Sequence, residues 1–280
     1  MGSARSTDGT ELRTRRWRAL GAGRPLAVVL LVHGFGEHSG RYEHVGDELA
    51  AVGFQVEAYD QRGFGGSTGR RAWVDSWSIV HQDLEERLAA ATEDAAGRPV
   101  ALYGHSLGGL IALGYTLAHR PKPDLLVLSA PGLEDRVAAW KKRLARILDR
   151  LAPTMRIAAG IDREVLATSP RPGFQYDDDP LVDTSSTVRF GTLVLAEQAR
   201  LQAALERLDR LPVPTLAVHG GDDALVPPSA SERLAHFPET TRIVYPGLRH
   251  ETHNEATSTT VADVARWLDE QVAVLESRHN

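Results

Sequence analysis

The stretch ALYGHSLGG, residues 101–109, decides how the rest of the chain is read. The apolar run PVALY at 99–103 leads into Gly104, His105, Ser106, Leu107 and Gly108, and LGGLIALGYTL continues from 107 to 117 as a helical pattern. A GxSxG motif in this setting is a strand-to-helix turn that thrusts a serine outward in strained backbone geometry, with no room for side chains two positions to either side. Ser106 then opens a helix, where unpaired backbone N–H groups favour a developing oxyanion. Taken alone the motif also arises as a chance Gly/Ser turn; its place between a buried strand and a helix argues for a nucleophile.

Outward from this turn, short apolar or β-branched runs alternate with longer helical patterns, which predicts βα units around a largely parallel sheet. Strands are expected at 12–18, 26–33, 55–60, 99–103, 125–128, 215–219 and 242–245, and helices at 74–95, 107–117, 188–208, 229–235 and 259–275. The rhythm breaks once. From 133 to 183 no strand is expected, and a basic amphipathic segment, VAAWKKRLARILDRL, precedes Pro153, Pro170, Pro172 and an acidic run ending at Asp179. The expected fold class is therefore α/β, with a core at 1–132 and 184–280 and a cap insertion at 133–183.

Composition narrows the function classes. Apolar residues make up 42% and charged residues 25% of the 280, ordinary values for a chain with a large core, which excludes disorder. A formal net charge of −5 gives no general attraction for polyanions, so nucleic acid is not an expected partner. With no cysteine, thiolate zinc sites, iron–sulfur ligation and cysteine nucleophiles drop out together. No apolar run approaches the roughly 18 residues of a membrane span. The N-terminal MGSARS lacks the apolar core of a secretory signal, although Gly2 and Ser6 match a myristoylation pattern. The expected location is cytoplasmic, at most peripheral to a membrane.

A serine hydroxyl needs a base, and the base needs an orienting acid. TLAVHGGDDALVP puts Asp222 and Asp223 just past a strand, and RIVYPGLRHETHNE puts His250 and His253 past the next. The order serine, aspartate, histidine is that of the α/β-hydrolases. LLVHGFGEHSGRY at 30–42 is a Gly-rich turn after a central strand, able to supply a second oxyanion N–H. Gly34, Gly36 and Ser39 also mimic a dinucleotide fingerprint, with Glu57 or Asp60 as the ribose acid. The third glycine is missing, and that reading leaves Ser106 unexplained. The His250/His253 spacing lacks a third ligand in a helical HExxH arrangement, so no metal is expected.

HGFGEHSGRY, YDQRGFGGSTG, GHSLGG, YDDDPL, HGGDD and YPGLRHETHNE together resemble the monoacylglycerol lipase group of α/β-hydrolases, which includes lysophospholipase-like members. The resemblance spans residues 33–255 and implies Ser106 as nucleophile, Asp223 as acid and His250 as base, with the amides of Phe35 and Leu107 as oxyanion donors. It also implies leaving-group contacts from Glu37, Arg41, Tyr176 and His253. Beside these stand plainer readings: a solvated Glu37–Arg41 pair, Tyr176 as a packing aromatic, His253 as a helix cap. DQRGFGGSTG is taken as a structural loop.

The expectation is thus a cofactor-free serine ester hydrolase acting on lipid-like monoesters, monoacylglycerols first, with lysophospholipids or short-chain esters as the alternative. Thioesterases, and a non-catalytic binding protein on the same fold, remain less favoured classes. In the insertion, Val137, Trp140, Leu144, Ile147, Leu148 and Leu151 share one helical face, and Lys141, Lys142, Arg143, Arg146 and Arg150 crowd the rest. Such a helix can rest its apolar side on an acyl channel and offer its basic side to water or anionic lipid, or it can simply cover the core.

Overall fold

The computed structural model describes residues 1–21, 23–171 and 179–278. Its strands are β1 (Gly2–Arg5), β2 (Glu11–Trp17), β3 (Val28–Val32), β4 (Gln55–Tyr59), β5 (Val100–His105), β6 (Leu125–Ser129), β7 (Arg156–Ala158), β8 (Ser185–Thr187), β9 (Thr215–Gly220) and β10 (Thr240–Tyr245). The helices are α1 (Glu43–Ala51), α2 (Trp77–Ala95), α3 (Leu107–Leu117), α4 (Ala139–Leu151), α5 (Val188–Leu205), α6 (Ser229–Glu232) and α7 (Thr260–Ser277). Eight strands form one sheet in the order β1-β2-β4-β3-β5-β6-β9-β10, parallel from β4 to β10 with an antiparallel edge of β1 and β2. This is the expected α/β class.

The alternation of strand side chains builds a core on each face of the sheet. In β3, Val28, Leu30 and Val32 pack with α2, α3 and α5, whereas Val29 and Leu31 pack with α1 and α7. All five are buried, each burial worth about 1.5–3 kcal/mol. From β3 the chain steps out to β4 on one side and returns to β5 on the other. The order reverses between β3 and β5, and in open parallel sheets a crevice opens at the carboxyl ends of strands flanking such a reversal. The turns after β3 and β5 are the two Gly-rich motifs of the sequence.

Several elements depart from expectation. Helix α1 was not anticipated because its nine residues contain Gly46 and follow directly on a Gly-rich turn. Strand β1 has no apolar pattern; it exists through its pairing with β2, Gly2 opposite Thr14. The strand-free expectation for 133–183 fails at β7, which is exposed throughout and pairs with β8, just beyond that boundary. Helix α4 forms as the periodicity predicts, yet none of its residues is buried and Trp140 is 62% exposed. Its apolar stripe therefore does not cover the core.

Segment 133–183 is fastened to the core at two places in its second half. At one, Leu166 O accepts from Glu251 N at 2.7 Å, Arg171 N donates to Asn254 O at 2.8 Å, and the buried Glu255 carboxylate takes the N–H groups of Thr168 and Ser169 at 2.6 and 2.8 Å. At the other, Asp183 N donates to Gly36 O at 2.7 Å, and His38 Nε2 lies 2.7 Å from Asp179 Oδ2.

Candidate active site

Ser106 sits between β5 and α3 with φ 52° and ψ −114°. A positive φ at a residue bearing a Cβ costs on the order of 1–3 kcal/mol, and the surroundings enforce it. Ser106 N donates to Ser129 O at 2.9 Å, and Ser106 O accepts from Gly132 N at 2.9 Å. The flanking glycines are steric requirements: a Cβ on Gly104 would lie 2.4 Å from Gly108 O, and one on Gly108 would lie 2.0 Å from Val32 O. Leu107 takes the first helical position, where a backbone N–H has no partner within the helix.

The two adjacent aspartates part company. Asp222 is exposed, whereas Asp223 is buried, with Oδ2 2.7 Å from His250 Nδ1 and Oδ1 accepting from the N–H groups of Leu225 and Val226, each at 2.9 Å. His219 Nε2 reaches the same Oδ2 at 3.2 Å. Burial alone would raise the Asp223 pKa, but the bonds from His219 and His250 outweigh it and hold the carboxyl well below the usual range. A carboxylate fixed in this way holds His250 with its Nδ1 protonated and leaves Nε2 as the basic nitrogen.

Ser106, His250, Gly34 and Phe35 line one narrow pocket, together with Leu225, Glu37, Glu251 and, from the insertion, Ile161 and Leu166. The turn after β3 is locked by His33. Its Nδ1 donates to Gly34 O at 2.7 Å and its Nε2 accepts from Gln61 N at 2.8 Å, a pattern only the neutral ring satisfies. Burial pushes the His33 pKa down to about 4, in agreement.

The remaining expected contacts fall differently. Glu37 lines the pocket but is no solvated partner of Arg41: both are buried, joined at 3.0 Å, with Arg41 also bonded to Glu251 at 2.6 Å. His253 is wholly buried, stacked on Tyr42 at 4.9 Å and edge-on to His105 at 4.7 Å, so it stands behind the pocket wall. Tyr176 lies outside the described residues. Sequence reasoning missed His33, His219 and Glu251. A signal existed for two of them, since both histidines occupy the first place of a His-Gly pair ending a buried strand.

The model of the family described as serine aminopeptidase, S33, matches residues 23–257. The chain belongs to that family of α/β-hydrolases. Among curated proteins similar to this chain, the monoacylglycerol lipase of Mycolicibacterium smegmatis is 32% identical over 87% of this chain and 88% of its own. The human monoglyceride lipase is 30% identical over 96% of this chain and 90% of its own. The same region makes up 27% of a longer abhydrolase domain-containing protein of Dictyostelium discoideum, 31% identical over 89% of this chain. A crystal structure of a soluble variant of the Saccharomyces cerevisiae monoglyceride lipase, in complex with a substrate analog, superposes with a TM-score of 0.84 at 25% identity, covering 95% of this chain and 93% of that one. The S33-family chain is accordingly a carboxylic ester hydrolase of the monoacylglycerol lipase-like type.

Proposed function

We propose that the chain hydrolyses lipid-like monoesters, monoacylglycerols first, through Ser106, His250 and Asp223. The observation that carries this reading is the 2.7 Å bond between His250 Nδ1 and Asp223 Oδ2, with His250 lining the same pocket as Ser106. Ser106 Oγ attacks the ester carbonyl as His250 Nε2 takes its proton. The amides of Phe35 and Leu107 receive the oxyanion, and His250 returns the proton to the departing alcohol. Water then attacks the acyl-enzyme with His250 again as base, releasing the fatty acid and restoring Ser106.

Segment 133–183 acts as a cap over this site, supported by Ile161 and Leu166 in the pocket wall. On α4, the exposed Trp140, Leu144, Ile147 and Leu151 lie among Lys141, Arg143, Arg146 and Arg150, which suits peripheral contact with an anionic lipid surface. The test is hydrolysis of a monoacylglycerol by wild type and Ser106→Ala, with a fluorophosphonate label mapped by peptide mass. Turnover and a label on Ser106, both absent from the variant, are expected; labelling at another residue would overturn the reading.

A further inference from the structure

The pocket wall contains a chain of buried charges whose connectivity leaves one oxygen over. Glu37 Oε1 accepts from Gly34 N and Tyr42 OH, each at 2.6 Å, and Glu37 Oε2 accepts from Arg41 Nε at 3.0 Å. Arg41 Nη2 donates to Glu251 Oε2 at 2.6 Å, and Asn254 Nδ2 donates to the same Oε2 at 2.7 Å. Glu251 Oε1 takes no hydrogen bond from any described side chain or backbone, although Glu251 lines the pocket that holds Ser106 and His250.

The position of this oxygen matters because of where the leaving alcohol must stand. His250 delivers its proton to the departing oxygen, so that alcohol lies against His250, and Glu251 is the next residue of the chain. Glu37 approaches from the other side. A Cβ on Gly34 would lie 2.7 Å from Glu37 Oε1 and 3.4 Å from Ser106 Cβ, so the carboxylate chain runs alongside the nucleophile. Burial alone would raise the pKa of Glu251, but Arg41 beside it prevails and keeps it lowered, so the group is ionised and accepts only. Arg41 is buried and bonded to both carboxylates.

We infer that Glu251 selects the leaving group: its Oε1 accepts a hydrogen bond from a free hydroxyl on the departing alcohol and repels an anionic group at the same place. The inference rests on the hydrolase reading above and adds a discrimination to it. Polyol esters are taken, and esters whose alcohol carries a phosphate monoester there are refused. A hydroxyl bond to a charged acceptor is of the size that changes specificity by about 10-fold to 100-fold.

The experiment compares kcat/KM for four decanoyl esters sharing one acyl chain: 1-decanoylglycerol, propyl decanoate, 1-decanoylglycerol 3-phosphate and p-nitrophenyl decanoate. In the wild type the glycerol ester should exceed the propyl ester by about 10-fold or more, and the phosphate by about 100-fold or more. Glu251→Gln should shrink the glycerol-to-phosphate ratio by about 10-fold or more, because the charge is gone and an N–H donor has appeared. Wild-type values that rank glycerol, propyl and phosphate esters alike overturn the inference, whether or not the variant folds. So does a folded Glu251→Gln whose four values fall in parallel, the mark of a structural role alone. Failure of the underlying reading looks different: p-nitrophenyl decanoate is then not hydrolysed, and fluorophosphonate does not label Ser106.

Discussion

His33 Nδ1 holds the carbonyl oxygen of Gly34 at 2.7 Å and thereby sets the direction of the next N–H, that of Phe35. In a trans peptide the C=O and N–H point in opposite directions, so fixing one fixes the other. Gln61 completes the lock, its backbone N–H bonding His33 Nε2 and its side-chain amide bonding His33 O at 2.6 Å.

If the Phe35 amide serves as an oxyanion donor, loosening this lock removes transition-state stabilisation without touching substrate. His33→Ala is expected to lower kcat by about 10²-fold to 10³-fold, the cost of one such donor, with KM for p-nitrophenyl esters changed far less. Steady-state kinetics on a folded variant check this; a rise in KM at constant kcat would contradict it.

The two aspartates offer a sharper comparison. Asp223→Asn should cut kcat by about 10⁴-fold, because an amide can hold His250 in the wrong tautomer. Asp222→Asn, on an exposed side chain, should stay within a few-fold of wild type. Equal losses would remove the distinction that the Asp223–His250 bond draws.

Acid should destabilise the fold through its histidines. Burial lowers the pKa of His33, His44 and His81 to about 4 and puts His105 and His253 well below their ordinary value. Unfolded, these groups take up protons from near pH 6.5 downward, whereas the folded chain resists until near pH 4 or below. The unfolded state thus binds more protons across that window, and stability is complete above about pH 6.5 and declines as pH falls. Each such histidine contributes a slope of up to about 1.4 kcal/mol per pH unit. Tm measured from pH 7.5 to 4.5 should fall progressively; a flat profile would show the folded chain to take up protons as readily as the unfolded one.

Helix α4 predicts a lipid-dependent phenotype. Vesicles containing phosphatidylserine should bind the wild type, binding should weaken as salt rises, and Trp140→Ala should shift the ratio of long-chain to short-chain ester hydrolysis. Sedimentation with vesicles and a chain-length series measure both. No binding together with an unchanged ratio would leave α4 without a lipid role.

The parts of this molecule that the sequence announces are those governed by local rules. The Ser106 turn, β3 and α3 were legible because apolar period, glycine spacing and length all agree there. Strands β1 and β7 were not, since each exists only through a partner strand and has no apolar signature of its own. The candidate site divides along the same line. Ser106, His250 and the aspartate pair could be read from motifs, but the choice of Asp223 over Asp222 needed the resemblance, and Glu251 needed the Arg41 contact across more than two hundred positions of chain. Burial was not legible, as His253 shows: its motif does not announce that the ring is buried and stacked on Tyr42.

The fastening of the insertion bears on how such an enzyme can be re-engineered. Glu255 grips Thr168 and Ser169 beside the loop that carries His250, and Asp183 grips the turn that carries Phe35. A transplant of segment 133–183 from another hydrolase would therefore import two foreign sets of anchors and disturb the registration of both loops at once. Diversification has a narrower free territory, the stretch around α4 ahead of these anchors, where side chains can be exchanged wholesale while the chemistry beneath stays in tune.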